Sequence, residues 1–198
     1  MGGTLQIVVC AHHRRELDRI LEAEAPGDAD VLELPSRCGR PPLREGELGD
    51  LLRRVRPGSF CALGGPCVQQ FSHRLGLAGL EVAGHCMENL VDSGVLRAWI
   101  AEGAYVVNPG WLANWREQID EWGFDAESAR SFFSESAASV LLLDTGVDPM
   151  ANARLEAFAR FVQLPSRRID IGLDHLRGRV REKLLAWRVQ HGNSSEAA

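Results

Sequence analysis

The sequence predicts an α/β fold, with a largely parallel, Rossmann-like sheet flanked by helices on both faces. Two observations support this prediction. Short apolar segments typical of strands alternate with segments of helical periodicity, and glycine- and proline-rich turns separate them. Such alternation is typical of a parallel sheet covered by helices. The 198 residues suit a single domain, predicted over residues 1–192 and followed by a loose tail at 193–198.

The first half of the chain contains four strand signals, each followed by a turn and a helix signal. Strands are predicted at residues 5–9, 31–34, 59–63 and 81–83. Helices are predicted at residues 14–25, 44–55, 67–75 and 87–92. The helix at 67–75 opens at Cys67, directly after the breaker Gly64-Gly65-Pro66.

The second half repeats the alternation. Strands are predicted at residues 104–107, 140–143 and 169–171, and helices at 150–162 and 174–190. Asp148-Pro149 is a suitable helix start, because a capping carboxylate precedes a proline in the first turn. The last helix is amphipathic and is expected to dock on its own domain. Its apolar side contains Leu176, Val180, Leu184 and Trp187.

The charge balance argues against nucleic acid as a partner. There are 22 basic and 27 acidic residues, which gives a net charge of −5, and Lys183 is the only lysine among basic residues interleaved with acidic ones. Binding to a phosphate backbone requires a clustered excess of Lys and Arg. The usual motifs of nucleotide binding and serine hydrolysis, G-x-G-x-x-G, G-x-x-x-x-G-K-[ST] and G-x-S-x-G, are also absent.

No membrane association is expected, and the predicted location is the cytoplasm. The apolar run at residues 5–11 is interrupted by His12-His13-Arg14-Arg15, so it is too short for a signal peptide or a spanning helix. In the reducing cytosol, the five cysteines are expected to be thiols, metal ligands or redox groups.

Four cysteines follow the four predicted strands of the first half: Cys10, Cys38, Cys67 and Cys86. Ligands collect at the carboxyl ends of parallel strands, so the four sulfurs are expected to meet at one edge of the sheet. Thiolates select zinc, copper(I) or iron–sulfur clusters, which predicts a metal or cluster site. Burial as small apolar side chains is the alternative for the whole set, and it is the favoured interpretation for Cys61 within the third strand.

His85 and Glu88, on either side of Cys86, are the candidate catalytic residues. His85 is a candidate metal ligand, proton carrier or group that orients the thiolate, and a capping or solvent-facing histidine is the alternative. Glu88 is placed to accept a hydrogen bond from His85 or to act as acid or base. An acidic residue in a first helical turn is its alternative interpretation. His12 and His13 follow Cys10 and are candidates for the same edge, although one of them is expected merely to begin the helix.

Two other features receive structural interpretations. Asp144 directly follows an apolar strand and is interpreted as a turn residue in preference to a ligand contact. Trp111, Trp115 and Trp122 are spaced four and seven residues apart, which places them on one helical stripe. Core packing or a lid over the pocket explains this stripe.

Several short motifs give the chain a resemblance to a known family. They are Val8-Val9-Cys10-Ala11, Arg37-Cys38-Gly39-Arg40-Pro41, Gly64-Gly65-Pro66-Cys67 and above all Gly84-His85-Cys86-Met87-Glu88. These motifs resemble the domain of unknown function 1638 family, from about residue 5 to about residue 176. In the relatives a histidine stands in the turn that holds Cys38. Exchange of cysteine for histidine is tolerated by metal sites, which supports Cys38 as a ligand.

The resemblance also implies a setting, since similar proteins occur beside corrinoid-dependent methyl-transfer systems or joined to signalling modules. The first hypothesis is therefore a metal- or iron–sulfur-binding domain that acts in sensing or cofactor handling near methyl and one-carbon metabolism. Its partners would be corrinoid or methyl-transfer proteins, or a signalling module. The alternative is a zinc-dependent enzyme that activates a thiol or water for methyl transfer or hydrolysis. A metal-free interaction module is the third possibility.

Overall fold

The first half of the chain folds around a central buried strand, β1 (Leu5–Cys10). The computed structural model describes residues 4–25, 27, 29–39, 44–56, 60–66, 68–69 and 83–192. β2 (Ala29–Leu34) and β3 (Phe60–Leu63) pair with β1 in parallel, which gives the order β2-β1-β3. All six residues of β1 are buried, as expected for the central strand of a parallel sheet.

The second half forms a separate parallel sheet. β4 (Ala104–Val107), β5 (Ser139–Asp144) and β6 (Ser166–Asp170) are arranged in the order β4-β5-β6. β5 is the central strand and its residues from Val140 onward are buried. The predicted α/β class with parallel strands is therefore confirmed, and the described strands are divided between two sheets of three.

Helices connect the strands and cover the sheets. Two 3-10 turns, at Ala11–His13 and Cys86–Asn89, lie near the carboxyl ends of the first sheet's strands. The described α-helices are α1 (Arg14–Glu24), α2 (Glu45–Leu52), α3 (Ser93–Ala101), α4 (Pro109–Ala113), α5 (Trp115–Glu121), α6 (Ala126–Ser136), α7 (Ala151–Val162) and α8 (Asp174–Gly192). In the described part of the chain, none of the helices combines the length and the apolar character needed to cross a membrane.

One apolar cluster joins the two sheets. It contains Ile7 and Val9 of β1 together with Val106 of β4 and Leu141 of β5, all buried. Because burial of apolar surface is the main favourable contribution to folding, this shared cluster stabilises both sheets together. A second cluster lies around the aromatic residues of α4 to α7, and a third between β1, β2 and α2.

The last helix docks on this shared cluster, as predicted. Leu176, Val180 and Leu184 are buried in it, and Trp187 packs against it. At the surface, Arg181 of α8 donates two hydrogen bonds of 2.7 Å to the Glu24 carboxylate at the end of α1. The apolar contacts fix the helix to the body, and the ion pair adds to its alignment with α1.

The helix predicted at residues 87–92 is wrong. The chain instead forms the 3-10 turn Cys86–Asn89, and α3 begins after Asp92. The Asp92 carboxylate accepts hydrogen bonds from the N–H groups of Gly94 and Val95 at 2.7 and 3.3 Å, so it caps the helix that follows it. The capping preference of aspartate therefore sets the start of the helix after Asp92.

The three tryptophans lie on two consecutive short helices, not on one. Trp111 belongs to α4, Trp115 begins α5, and Trp122 follows the end of α5. All three belong to or pack against the second apolar cluster, so the interpretation as core residues is confirmed. The predicted strand at 81–83 and the predicted helix at 67–75 fall largely outside the described residues, as does the tail at 193–198.

Candidate functional site

The carboxyl end of β1 leads directly into a pair of buried histidines. Cys10 ends the strand, and the 3-10 turn that follows contains His12 and His13, which are 4% and 1% exposed. α1 begins at the next residue, so the connection between β1 and α1 consists of this turn alone. The structure thus places two histidine rings inside the protein at the edge where the sequence predicted ligands.

The carboxyl end of β4, in the other sheet, reaches the same turn. The buried Asn108 follows β4, and its Nδ2 donates a hydrogen bond of 2.8 Å to the carbonyl oxygen of His12. Its Oδ1 accepts a hydrogen bond of 2.9 Å from the backbone N–H of Trp111 and thereby caps α4. The ends of the two sheets therefore meet at this asparagine, a contact between residues 96 positions apart.

Cys86 is held against the loop that follows β3. A β-carbon on Gly65 would lie 2.7 Å from the backbone nitrogen of Cys86, so only glycine fits this approach. Asn89 strengthens the contact, because its Nδ2 donates to the carbonyl oxygens of Gly64 and Cys86 at 3.3 and 2.8 Å. The loop after β3 and the segment around Cys86 are therefore in direct contact.

Cys38, in the loop after β2, also reaches this region. Its Sγ lies 3.6 Å from Nδ1 of His12, within hydrogen-bond range for sulfur. Its carbonyl oxygen accepts a hydrogen bond of 2.9 Å from the Trp122 indole, and that ring covers the left-handed Gly39. The loop is therefore fixed at one end by the histidine turn and at the other by the aromatic cluster.

Tyr105 of β4 links the two cysteine segments. The pKa of its hydroxyl is raised first by burial and then by the negative charges of the Cys38 and Cys86 thiolates. Cys38 also lines the same cleft as Tyr105. Cys38 and Cys86, which are 48 positions apart in the sequence, thus both influence the pKa of one side chain.

The other three cysteines do not share one environment. Cys10 is 2% exposed and belongs to the third apolar cluster, although it stands only two residues before His12. Cys61 lies inside β3, where it is half-buried and packs against the first apolar cluster, and burial raises the pKa of its thiol to about 12. Cys67 lies outside the described residues. Among the residues that are described, no group of three or more His, Cys, Asp and Glu side chains is arranged to hold a metal ion.

His13 is uncharged at neutral pH. Its pKa is lowered to about 3, chiefly by burial and further by the positive charges that His12 and His85 would carry. Its Nδ1 lies 3.3 Å from Nδ2 of Asn108. No hydrogen-bond partner for its Nε2 is found in the described part of the chain. From the sequence, one of His12 and His13 was expected merely to begin the helix. The structure shows that His13 is almost completely buried.

His85 adopts the capping role that the sequence left open. Its Nδ1 accepts a hydrogen bond of 3.2 Å from the backbone N–H of Met87, at the start of the 3-10 turn. Burial lowers the pKa of His85, and the nearby Glu88 carboxylate opposes this effect. Glu88 itself accepts a hydrogen bond of 3.2 Å from the N–H of Gly84. Both candidate catalytic residues thus help to fold the segment that carries Cys86.

Asp144 and Glu16 are two buried acidic residues near the carboxyl end of β5, and only Asp144 was singled out from the sequence. Asp144 accepts a hydrogen bond of 2.8 Å from the N–H of Gly146, so the turn interpretation is confirmed. It also pairs with Arg168 at 3.0 Å. Glu16 was missed: it is 1% exposed, and its Oε1 accepts a hydrogen bond of 2.9 Å from the hydroxyl of Thr145. Burial raises its pKa.

An open cleft adjoins the cysteine segments. Its volume is about 540 Å³, and it is lined mainly by aromatic side chains, together with Cys38 and one carboxylate. The lining residues are Cys38, Gly39, Tyr105, Glu121, Trp122, Phe124 and Phe132. Cys38 thus lines this cleft and also contacts His12, so a molecule in the cleft would lie beside Cys38.

Fold and site together define an α/β protein whose parallel strands end in a cysteine- and histidine-containing site shared by two sheets. The chain belongs to the domain of unknown function 1638 family, DUF1638, whose profile matches residues 60–179. The matched region contains Cys86, Tyr105 and Asn108, and it begins after Cys10 and Cys38. No curated protein and no solved structure gives a significant match.

Proposed function

We propose that this protein is a cytosolic metal-binding domain that holds zinc or an iron–sulfur cluster. The ligands would be the thiolates of Cys10, Cys38, Cys67 and Cys86, and its role would be sensing or cofactor handling near methyl and one-carbon metabolism. The observation that carries the proposal is geometric: Cys38 Sγ lies 3.6 Å from Nδ1 of His12 in the turn after Cys10, and the Cys86 backbone packs against Gly65, two residues before Cys67. Thiols from distant segments that meet in a partly buried place are the donors that such metals prefer.

The chemistry of the donor set fits a bound metal. Burial favours the protonated thiol, as it does for Cys61. Neighbouring thiolates beside a buried phenol therefore need a compensating positive charge, and a metal ion or cluster supplies that charge when bound. The neighbouring histidines provide N–H groups of the kind that stabilise metal-bound sulfur. The chain's own contribution would be to hold the sulfurs in place.

Cys10 and Cys67 complete the proposed set on sequence grounds. Cys10 is the last residue of β1 and directly precedes the 3-10 turn that reaches Cys38 through His12. Cys67 stands two residues after Gly65, whose backbone contacts Cys86. Four sulfurs would satisfy a tetrahedral zinc ion or a four-iron cluster. His85 is a fifth candidate metal ligand from the sequence, and its hydrogen bond with the Met87 N–H favours a supporting role for it.

A zinc-dependent enzyme is the second candidate, and the aromatic cleft favours it. The cleft of about 540 Å³ gives a substrate access to the side of Cys38. With three cysteines as ligands, zinc would keep one open position at which it activates a thiol or water for methyl transfer or hydrolysis. His85 and Glu88 would then be the residues available to carry a proton. The partners proposed for either role are corrinoid or methyl-transfer proteins, or a signalling module.

Metal analysis of protein purified without oxygen tests the proposal. We expect about one zinc ion, or iron with acid-labile sulfide, per chain. Cys38→Ser, Cys67→Ser and Cys86→Ser should each lose most of the metal, because serine is a poor ligand for these centres. Cys61→Ser is the matched control and should retain it, since this thiol is buried within β3.

Three outcomes separate the candidates. Iron with sulfide supports the sensing or cofactor-handling domain, and zinc with an exchangeable fourth position supports the enzyme. Both candidate functions are contradicted if the wild-type protein contains no metal, or if Cys61→Ser and Cys86→Ser lose equal amounts of metal. A folded, metal-free protein would leave the interaction module as the function.

A further inference from the structure

Four aromatic rings line the open cleft beside Cys38. They belong to Tyr105, Trp122, Phe124 and Phe132. Phe132 is 44% exposed, and Trp122 and Phe124 are only partly buried. The cleft volume of about 540 Å³ lies within the range of small-molecule sites. Exposed apolar surface that is gathered in a concavity is typical of such sites, so the aromatic cleft is a candidate binding site in its own right.

The turn between α5 and α6 holds two of these rings in place. Gly123 has a left-handed φ of 76°, and the N–H of Phe124 donates a hydrogen bond of 3.1 Å to the carbonyl oxygen of Ile119. This pattern is the Schellman motif that ends many helices, and it fixes Trp122 and Phe124 on either side of the glycine. The Trp122 indole also donates to the carbonyl oxygen of Cys38 at 2.9 Å. The rings are therefore positioned before any ligand arrives, which lowers the entropic cost of binding.

Three of the rings are close enough together to contact one ligand group. The ring centroids of Trp122 and Phe124 are 6.1 Å apart, those of Trp122 and Phe132 are 6.5 Å apart, and those of Phe124 and Phe132 are 5.2 Å apart. Their planes are inclined by 40–78°, so they do not form a parallel stack. A single cation can thus lie within about 6 Å of all three centroids, the distance at which a cation is attracted to an aromatic face.

The charge of the cleft also favours a cation. Glu121, directly before Trp122, contributes a carboxylate, and no lysine or arginine is found among the described residues that line the cleft. Burial raises the pKa of Tyr105, so its phenol adds a neutral ring. The chain already uses this type of contact elsewhere, since the Arg116 guanidinium lies 4.2 Å from the centroid of the Trp115 ring.

We propose that the aromatic cleft binds an organic cation that carries an alkylated ammonium group. The group would lie against Trp122, Phe124 and Phe132, with the Glu121 carboxylate supplying the opposite charge. An ammonium group that bears N–H donors would lose its hydration in a cleft lined mainly by rings, whereas an alkylated one has no N–H groups to satisfy. This inference goes beyond the proposed metal centre and does not require a bound metal.

The test is calorimetric titration of the full chain with choline and with dimethylbutanol, the uncharged analogue in which carbon replaces the ammonium nitrogen. The two probes have the same shape, so their difference in affinity measures the contribution of the charge. Phe132→Leu removes one ring and keeps an apolar side chain. Its control is Phe161→Leu, because Phe161 packs against the second apolar cluster and does not line the cleft.

A second pair of variants tests the carboxylate. Glu121→Gln removes the charge, and Glu117→Gln is its control, because Glu117 is an exposed glutamate of the same helix that lies outside the cleft. Both glutamates are on the surface, so these variants are expected to fold even if a ring variant does not. Thermal unfolding of every variant shows that it is folded.

We expect choline to bind at least about tenfold more tightly than dimethylbutanol. Phe132→Leu and Glu121→Gln should each weaken choline binding by roughly threefold or more and leave the weak binding of dimethylbutanol almost unchanged. Phe161→Leu and Glu117→Gln should bind choline as the wild type does.

Equal affinity for the two probes, or no binding of choline at millimolar concentration, would overturn the inference. So would equal effects of Glu121→Gln and Glu117→Gln on choline binding, because the cation would then not be held beside Glu121. Absence of metal from the wild type would contradict the proposed function alone, since the expected titrations do not depend on the metal.

Discussion

Gly110 lies so close to the main chain of His12 that a β-carbon on it would overlap the His12 carbonyl oxygen. The same oxygen accepts the hydrogen bond from Asn108. The turn after β1 and the helix after β4 are therefore in direct backbone contact. Because His13 is the next residue, this contact also sets the position of the buried ring at the site.

Replacement of Gly110 by alanine is expected to separate these two backbones. The added methyl group has no room, so we expect a loss of about 1–3 kcal/mol in the free energy of unfolding. Metal retention should fall as well, because His12 and Cys38 move with the turn. Urea denaturation and metal analysis measure the two effects. The control is Gly178→Ala on the exposed side of α8, where no atom lies within 4 Å; it should be neutral or stabilising by up to about 1 kcal/mol.

Two adjacent leucines of α8 provide a test of how that helix is attached. Leu184 is 2% exposed in the shared cluster, whereas Leu185 is 59% exposed. Leu184→Ala should lower the free energy of unfolding by about 2–4 kcal/mol, because it leaves a cavity between the helix and both sheets. Leu185→Ala should change it by less than about 0.5 kcal/mol. Equal effects in thermal or urea unfolding would show that α8 is not bound through this face.

The fold class and most elements followed from local patterns in the sequence. β1 was predictable because it is an unbroken apolar segment, and α8 because its apolar residues recur at helical spacing. The division of the strands into two sheets was not predictable, since pairing is decided by contacts between distant residues. The helix predicted at residues 87–92 was wrong, because Asp92 caps the helix that follows it, α3, and a 3-10 turn occupies residues 86–89.

The candidate site, like the fold, could be predicted only where it depends on local patterns and not on contacts between distant residues. The prediction that Cys10, Cys38, Cys67 and Cys86 lie at one edge of the sheet depends only on the rule that ligands collect at strand ends. Asn108 and His13 were not identified as a unit, since the contact that joins them spans 95 positions and has no motif of its own. Glu16 looked like an ordinary acidic residue in a first helical turn, and only its contact with Thr145 reveals that it is buried.

Asp148 is expected to matter more for stability than ordinary surface acids. Its buried side chain pairs with Arg15 at 3.1 Å and with Arg154, and it accepts a hydrogen bond of 2.9 Å from the N–H of Met150 at the start of α7. Asp148→Ala removes the hydrogen bond to Met150 and both ion pairs, so we expect a loss of about 1–2 kcal/mol in the free energy of unfolding.

Asp18→Ala is the matched control for Asp148→Ala. Asp18 pairs with Arg14 on the surface of α1, where the carboxylate is 41% exposed. Water screens such a pair, so its removal should change the free energy of unfolding by less than about 0.5 kcal/mol. If urea unfolding gives the same small loss for both variants, the buried position of Asp148 contributes nothing beyond a surface ion pair.

Glu16 gives the protein a pH dependence whose direction is fixed by its burial. Burial raises the pKa of this carboxyl in the folded state, although Thr145 and Arg15 oppose the change. The folded state therefore binds the proton more tightly than the unfolded state does. The stabilisation from protonated Glu16 is fully present below the ordinary pKa of glutamate, about 4.3, and is lost as the pH rises through the raised pKa.

Glu16→Gln should consequently gain stability relative to the wild type as the pH increases. Glutamine retains an oxygen for the Thr145 hydroxyl and carries no charge at any pH, so the cost of burying an ionised carboxylate disappears. Urea unfolding from about pH 5 to about pH 8 should show a growing difference between the two proteins. Glu22→Gln, at an exposed ion pair of the same helix, should differ from the wild type by less than about 0.5 kcal/mol throughout. A difference for Glu16→Gln that is constant or shrinks with pH would mean that the carboxyl titrates as if it were in water.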